Sequence, residues 1–306
     1  MRRVLQTPPV PSEMEGNGVR KFLRKHARTF ALTLRMLPGA LREPLSIAYL
    51  LARASDTIAD AAGISREKRL KILETLSGNL NEGKFGDWPL ETGLGKLSFP
   101  EQELIAAVPS LFVALEQLPD YGTMLRLWRT ILEGQLFDLR RFPSAEPLSR
   151  QELERYCWLV GGSVGEAWTE LIGKHAPGVL LNFSEDARGM RALGASYGKG
   201  LQLVNILRDR RADRALGRIY ASEEEIPELL PLVNSWLHQG EIYLSRLKPG
   251  RIRLASEIPL RLAQRTLELM RKSPQAAKVK MKRWQVYAIL LRSLPSLVLR
   301  DGFNPA

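Results

Sequence analysis

The sequence predicts an all-α protein, and three observations support this fold class. Apolar residues recur with a helical period along most of the 306 residues, which is typical of amphipathic helices. Alternating β-branched runs and Asn-Gly hairpin signals, which would indicate strands, are absent. Capping sequences and prolines stand between the periodic segments, where helices begin and end. We therefore expect about ten helices in a single domain.

The expected helices follow one another with short connections. In order, they cover residues 19–36, 41–62, 66–81, 101–117, 121–141, 150–173, 185–212, 229–247, 257–272 and 275–294. Capping boxes or prolines justify these boundaries: Pro38, Ser98 with Glu101, Pro100, Pro119, Pro143, Ser149 with Glu152, Pro177, Ser222 with Glu225, and Pro274. Gly83–Pro100, rich in Gly and Pro, is the longest expected loop. We expect residues 1–17 to be disordered and residues 18–300 to form one domain ending in a basic helix.

Composition and charge narrow the possible functions. Cys157 is the only cysteine, so a disulfide framework and a cysteine-based zinc site are excluded. The formal net charge is +12, which indicates an anionic partner such as nucleic acid, an acidic membrane surface or a phosphorylated substrate. A signal-peptide pattern and a long uncharged apolar run are both absent from the sequence. These features predict a cytoplasmic protein, peripheral to the inner membrane if it contacts lipid.

Two Asp-x-x-x-Asp sequences on expected helices carry most of the chemical information. They are Asp56 with Asp60 and Asp209 with Asp213. Residues four apart share one helix face, and like charges at this spacing repel unless a cation lies between them. Carboxylate oxygens are ligands that Mg²⁺ prefers, and Mg²⁺ completes its coordination with water and substrate phosphate. The two pairs therefore predict Mg²⁺ and a diphosphate.

Polar residues precede each aspartate pair at helical spacing within apolar segments. They are Tyr49 and Arg53 before the first pair, and Gln202, Asn205 and Arg208 before the second. A polar stripe on an apolar helix is costly without partners, and a cavity that holds metal and diphosphate would supply them. The alternative is that both aspartate pairs lie on solvated helix faces.

Five segments, in order along residues 19–295, resemble motifs of the squalene/phytoene synthase family. They are Arg28-Thr-Phe30, Tyr49-Leu-Leu-Ala-Arg53-Ala-Ser-Asp56-Thr-Ile-Ala-Asp60, Gly134-Gln-Leu-Phe-Asp138-Leu, Tyr156-Cys-Trp-Leu-Val160-Gly-Gly-Ser-Val164-Gly165, and Gln202 to Asp213 followed by Gly217-Arg218-Ile-Tyr220. The Asp-Thr start of the first aspartate motif is similar to the squalene synthase branch. In lacking the C-terminal membrane anchor of eukaryotic squalene synthases, the sequence resembles the bacterial members of this branch. Ala59 and Ala212 depart from it, since many squalene synthases carry Glu there.

The resemblance implies an all-α isoprenoid synthase fold around a central apolar cavity, with the two aspartate motifs facing each other across its mouth. It implies that two farnesyl diphosphates are joined head to head to presqualene diphosphate, which NADPH then reduces to squalene. An enzyme of the same fold without the reductive step would make presqualene diphosphate, dehydrosqualene or phytoene. NADPH use is implied only by the resemblance, because the sequence has no Gly-x-Gly-x-x-Gly strand–helix unit.

The resemblance also assigns roles to individual residues. The implied Mg²⁺ ligands are Asp56, Asp60, Asn205, Asp209 and Asp213, and the implied diphosphate-binding residues are Arg28, Tyr49, Arg53, Gln202, Asn205, Arg208, Arg218 and Tyr220. Tyr156 is expected to relay a proton or stabilise a carbocation with its ring. The alternative for Tyr156 is a core tyrosine with a satisfied hydroxyl.

The last expected helix is basic. Between Arg261 and Arg300 the chain has ten Lys or Arg residues and one acidic residue, Glu268, with Trp284 and Tyr287 interleaved. This pattern predicts a surface that rests on anionic lipid, and a solvated helix face is the alternative.

Two other classes of protein remain as alternatives. A non-enzymatic, lipid-binding or assembly relative would be expected to lose aspartate ligands, yet all four are present. A nucleic-acid binder would explain the positive charge, but no recognised binding motif accompanies that charge. We therefore expect no nucleic-acid partner.

Overall fold

A computed structural model describes residues 22, 23, 34, 36–82, 97–181, 185–272, 281 and 283–297. These residues are helical along most of their length, which confirms the all-α class. The segment 1–17, most of the expected helix 19–36 and most of the expected loop lie outside the described residues. Within the described part of the chain, no helix is long and apolar enough to cross a membrane.

The chain divides into two compact units. Residues 1–35 and 42–128 form the first, and residues 36–41 and 129–306 form the second. Helices that lie wholly or partly in the first unit are α1 (Gly39–Ala59), α2 (Arg66–Glu82), α3 (Phe99–Ala106), α4 (Val108–Glu116) and the start of α5 (Tyr121–Arg141). The expectation of one domain over residues 18–300 stays a prediction.

The second unit continues with the remaining helices. They are α6 (Arg150–Cys157), a π-helical turn (Trp158–Gly162), α7 (Ser163–His175), a 3₁₀ turn (Pro177–Val179), α8 (Ala187–Ala215), α9 (Ile226–Ser245), α10 (Arg251–Lys272), α11 (Arg283–Ser293) and a second 3₁₀ turn (Leu294–Leu297). Helix α8 is central to this unit, since it contacts α6, the π-helical turn, α7, α9 and α10. Its buried residues include Leu203, Val204 and Leu207.

The core of the first unit forms around Trp128 of α5. Trp128 is almost fully buried, and its ring centroid lies 6.2 Å from that of Phe112 in α4. The indole N–H also donates to the hydroxyl of Ser55 in α1, at 3.5 Å. Leu50 and Leu51 on the same helix are completely buried. These contacts orient the helix that carries the first aspartate pair.

The expected continuous helix 101–117 is wrong. The structure has two helices here, which meet at Ala107. Pro109 lies in the first turn of α4 and has no N–H to continue the hydrogen-bond ladder of α3. Proline is well tolerated in the first turn of a helix, so the chain starts a new helix at this point.

The three expected capping boxes are present. The backbone N–H groups of the serines donate to Glu101, Glu152 and Glu225 at 2.7–2.8 Å. In two of these boxes the serine is the N-cap residue, of α3 and of α6. In the third box, Glu225 is the residue immediately before α9. Each box satisfies N–H groups that have no partner within the helix.

Glycines bring α8 into backbone contact with the π-helical turn and α7. A Cβ atom on Gly161 would lie 2.5 Å from the carbonyl oxygen of Gly198, and one on Gly165 would overlap the Gly194 carbonyl. Contacts this short are not compatible with a side chain, so the close approach requires glycine. The contact makes these glycines helix-packing residues.

We predict that Gly165→Ala destabilises the protein, because the added methyl group forces α7 and α8 apart. The expected loss is about 1–3 kcal/mol in the free energy of unfolding. Gly78→Ala is the matched control, since this exposed glycine of α2 has no atom within 4 Å of the added Cβ. The control should gain about 0.5–1 kcal/mol, as expected for Gly to Ala in a helix. Denaturant unfolding of both variants measures the difference, and equal stabilities would contradict the packing account.

Candidate active site

The first aspartate pair lies at the C-terminal end of α1. Arg53 Nη1 is 2.6 Å from Asp56 Oδ2, and both side chains are partly exposed. Asp60 follows the last helical residue and is exposed, and its N–H donates to the carbonyl of Asp56 at 2.9 Å. The pair is therefore one turn apart, as predicted, at the helix end where negative charge is least favourable.

Buried neighbours hold this helix end in place. Ser55 and Thr57 flank Asp56, are buried, and donate their hydroxyls to carbonyls of the preceding turn. Arg69 of α2 donates to the carbonyl of Ala59, the last residue of α1. Tyr49, two turns before Asp56, is half-buried. The backbone of the motif is thus fixed while its carboxylates remain accessible.

The second aspartate pair lies near the C-terminal end of α8. Arg208 contacts both carboxylate oxygens of Asp209, with Nε 3.0 Å from Oδ1. The hydrogen bonds to Asp209, together with the negative charges of Asp209 and Asp213, raise the pKa of Arg208 above its usual value. Gln202 is half-buried on this helix, and Asn205 is exposed.

The end of α8 turns the chain back through a glycine. Gly217 has a φ of +77°, a conformation that favours glycine. The N–H of Arg218 donates to the carbonyl of Asp213 at 2.9 Å. The turn carries Arg218 and Tyr220 away from the helix axis and towards the C-terminal part of α5.

Asp138 of α5 contacts the side chains of both Arg218 and Tyr220. The hydroxyl of Tyr220 donates to Asp138 Oδ1, and Arg218 Nε lies 3.5 Å from Oδ2. Asp138 and Tyr220 are both buried. Burial, Tyr156 and the Asp138 carboxylate all raise the pKa of Tyr220, so its hydroxyl stays protonated and acts as a donor.

Tyr156 of α6 stacks on Tyr220. The ring centroids are 5.1 Å apart with an interplanar angle of 23°, and the two hydroxyl oxygens are 3.4 Å apart. That oxygen–oxygen distance is longer than usual for O–H···O bonds, so stacking fixes Tyr156 more than hydrogen bonding does. Phe137 adds a second ring, 6.0 Å from Tyr156. We name Asp138, Tyr156, Arg218 and Tyr220 the tyrosine cluster.

The structure places the predicted site residues in three local groups. Arg53 is paired with Asp56, and Arg208 is paired with Asp209. The third group is the tyrosine cluster, in which Asp138 was not predicted to have a role. Its signal in the sequence is a carboxylate between Phe137 and Leu139 in an apolar part of a helix. Arg28 lies outside the described residues.

Lys199 of α8 was not predicted to contribute to the site. Lys199 lies 3.3 Å from Glu154 and places its ammonium group 3.9 Å from the ring centroid of Trp236. Nothing in the pattern around this lysine distinguishes it from a surface residue. Cys157 is buried, which raises the pKa of its thiol to about 12. It is therefore a protonated core residue and not a nucleophile.

The carboxylates suit an Mg²⁺ ion that the protein shares with water and a phosphate group. Such an ion does not need a complete set of protein ligands. Among the described residues, no three His, Cys, Asp or Glu side chains are grouped as a metal site. Each motif offers two hard oxygen donors from one helix end, and the lead aspartate is partly exposed. Mg²⁺ commonly binds through one or two carboxylates and takes its other ligands from water and phosphate. The donor set therefore fits this ion.

Two curated relatives from one organism match with nearly equal identity. The squalene synthase LSS of Botryococcus braunii is 27% identical over 192 residues, which are 61% of this chain and 38% of that protein. The presqualene diphosphate synthase of the same organism is 25% identical over 199 residues, which are 65% of this chain and 46% of that protein. The matched part of this chain thus spans less than half the length of either relative.

The fold and the family are both assigned by comparison. The structure of TcSQS with the ligand BPH1237 aligns with a TM-score of 0.68 and 21% identity, covering 90% of this chain and 85% of that chain. This likeness confirms the isoprenoid synthase fold. The model of the squalene/phytoene synthase family matches residues 23–230, more than half of the chain. The chain, whose second aspartate motif and Tyr156 segment both lie in the matched region, belongs to the squalene/phytoene synthase family.

Proposed function

We propose that this prenyltransferase is a squalene synthase. It would join two farnesyl diphosphates head to head to presqualene diphosphate and then reduce that intermediate to squalene with NADPH. The proposal rests on an arrangement of two aspartates and one arginine that occurs twice. In each unit, a helix carries two aspartates one turn apart near its C-terminal end, and the lead aspartate is paired with an arginine. Two such sites match a reaction with two diphosphate substrates.

The aspartates are the residues that would hold the metal. Asp56 and Asp60 would bind Mg²⁺ at one site, and Asn205, Asp209 and Asp213 would bind it at the other. When bound, the ion supplies positive charge that makes diphosphate a better leaving group. Without that charge, the carboxylates and the diphosphate would repel each other.

The arginines would bind the diphosphate oxygens directly. Arg53 and Arg208 already donate to planar carboxylates, and a phosphate offers acceptors of matching geometry. Each arginine can therefore move from its aspartate to a phosphate without losing hydrogen bonds, and the aspartate is then available to metal. Arg218 is held close to Asp138 and would add a third cation, and Arg28, Tyr49 and Gln202 stay proposed contributors.

Tyr156 would stabilise the allylic carbocation with its ring. The face of an aromatic ring attracts a cation, and the stack with Tyr220 fixes how that face is presented. Asp138 acts as a positioning residue here, since it holds the Tyr220 hydroxyl and leaves the stacked pair little freedom. The aromatic rings around Tyr156 would also help to exclude water, which would otherwise capture the cation.

An enzyme that stops at presqualene diphosphate is the second candidate. The observation in its favour is the near-equal identity to the squalene and presqualene diphosphate synthases of Botryococcus braunii. Dehydrosqualene and phytoene are further possible products of the same fold. They differ from squalene in the final step or in substrate length, and neither difference depends on the aspartate motifs.

We predict that the purified protein converts farnesyl diphosphate to squalene only when Mg²⁺ and NADPH are both present. Mass spectrometry of the lipid extract measures the products. Presqualene diphosphate or dehydrosqualene regardless of NADPH would contradict the reductive step and support the second candidate. Product from geranylgeranyl diphosphate alone would instead indicate a phytoene synthase.

Asp209→Asn should lower product formation at least about 100-fold, because it removes a charge that binds metal. The matched control is Asp186→Asn at the other end of α8. Asp186 caps the helix by accepting from the N–H of Gly189 at 2.9 Å, and asparagine caps equally well. An Asp209→Asn enzyme as active as the control would contradict the proposed metal site.

We predict that Tyr220→Phe lowers turnover about tenfold, because Tyr156 and Arg218 lose the support of the Tyr220–Asp138 hydrogen bond. Tyr197→Phe is the matched control, since it also removes a buried hydroxyl, one that donates to the Ser256 carbonyl at 2.7 Å. Both variants should lose about 1–3 kcal/mol of stability. Only Tyr220→Phe should lose turnover at saturating substrate, and equal turnover of the two variants would make the tyrosine cluster purely structural.

A further inference from the structure

A cavity of about 470 Å³ lies between α10 and α11. The lining residues recur at spacings of three and four on each helix, so one face of α10 and one face of α11 form its walls. The hydroxyl of Ser296, in the turn after α11, donates to Glu257 of α10 and ties the two walls together. None of the lining residues belongs to the aspartate pairs or to the tyrosine cluster, so the cavity is a separate feature of the second unit.

The α10 wall of the cavity is charged but balanced. Arg261 Nε lies 3.0 Å from Glu257 Oε1, and Arg265 Nη1 lies 2.6 Å from Glu268 Oε2. Glu257 is buried, and the loss of a partner from a buried carboxylate is costly. These two ion pairs therefore stay within α10 and leave this wall without net charge.

The α11 wall has two adjacent hydrogen-bond donors that are not used within the described part of the chain. Ser293 is 1% exposed, and its hydroxyl has no hydrogen-bond partner among the described residues. Arg292 also lines the cavity, and it forms no ion pair with any residue that the structure describes. Buried polar groups are nearly always hydrogen-bonded. An unpaired hydroxyl beside an unpaired guanidinium therefore indicates a site for an acceptor.

Apolar side chains line the α11 wall next to these donors. They are Trp284, Ala288 and Ile289, all on the N-terminal side of Arg292. Small-molecule sites in proteins have volumes of roughly 300–1,000 Å³ and combine an apolar lining with a few polar groups. The cavity has this composition and has more room than a single inorganic ion needs.

We propose that this cavity binds a small organic anion. The acidic group of the ligand accepts from Arg292 and Ser293, and its apolar part lies against Ala288 and Ile289. Three arginines and two glutamates line the cavity, so the lining compensates one negative charge. A cation would be repelled by the unpaired Arg292. The proposal does not depend on the proposed reaction.

Calorimetric titration of the full chain with naphthalenesulfonate tests this binding. The probe carries a permanent negative charge on an apolar ring system, and Mg²⁺ is left out so that the aspartate motifs attract no anion. The wild type should bind the probe, and Arg292→Gln should bind it at least about tenfold more weakly, because a charge-assisted hydrogen bond is lost. Arg251→Gln is the matched control, since Arg251 is exposed on α10 and does not line the cavity. It should bind as the wild type does.

Two further probes separate the charge of the ligand from its apolar part. Methanesulfonate has the charge without the rings, and naphthalenemethanol has the rings without the charge. Each should bind at least about tenfold more weakly than naphthalenesulfonate, because each lacks one of the two interactions. Equal affinity for either probe would contradict the proposed ligand class.

Ser293→Ala separates a role in binding from a role in stability. The variant should bind naphthalenesulfonate at least about threefold more weakly, because one hydrogen bond to the ligand is lost. Its melting temperature without the probe should be no lower than that of the wild type, since no protein group loses a partner. Ser256→Ala is the matched control. The Ser256 hydroxyl is buried and accepts from the indole N–H of Trp168 at 3.1 Å, so this control should have a lower melting temperature.

Three results would overturn the proposal. The first is a wild-type protein that does not bind naphthalenesulfonate, and the second is an Arg292→Gln variant that binds it as tightly as Arg251→Gln does. The third is a Ser293→Ala variant with a lower melting temperature and an unchanged affinity. That result would make the Ser293 hydroxyl a structural group.

Discussion

The direct backbone contact of α8 with the π-helical turn and with α7 positions the second aspartate motif and Tyr156. Glycines on both sides, Gly161 and Gly165 against Gly194 and Gly198, leave no room for side chains between the helices. This contact fixes the position of α8 along its N-terminal half, and α8 carries the second aspartate motif near its other end. A π-helical turn in this position is often found at functional sites, and here it follows directly after α6, which carries Tyr156.

The acidic residues of the candidate site fall into two kinds that differ in solvent access. Asp56 and Asp209 are partly exposed and each is compensated by an arginine. Exposed pairs of this kind contribute little to stability, so their partners can be exchanged for metal and phosphate at small cost. Asp138 is buried and depends on Tyr220 and Arg218. Removing a partner from a buried carboxylate is expensive, which suits a residue that positions others.

The sequence predicted the regular part of this structure and missed the parts that depend on tertiary contact. Helical period and capping boxes predicted most helices, because both signals are local. The break before Pro109 is also marked locally, by a proline inside an apolar run whose helical period continues across it. The π-helical turn at Trp158–Gly162 arises where the chain approaches α8, and the role of Asp138 arises from residues about 80 positions away. Such distant contacts cannot be obtained from spacing in a single sequence.

We propose that each aspartate motif binds one diphosphate. Calorimetric titration with farnesyl thiolodiphosphate, an analogue that resists ionisation, measures how many diphosphates the chain binds. Two analogue molecules should bind per chain in the presence of Mg²⁺, and Asp56→Asn and Asp209→Asn should each remove one of them. Binding of a single molecule, or equal binding after Mg²⁺ is removed with a chelator, would show that the two motifs do not act in this way.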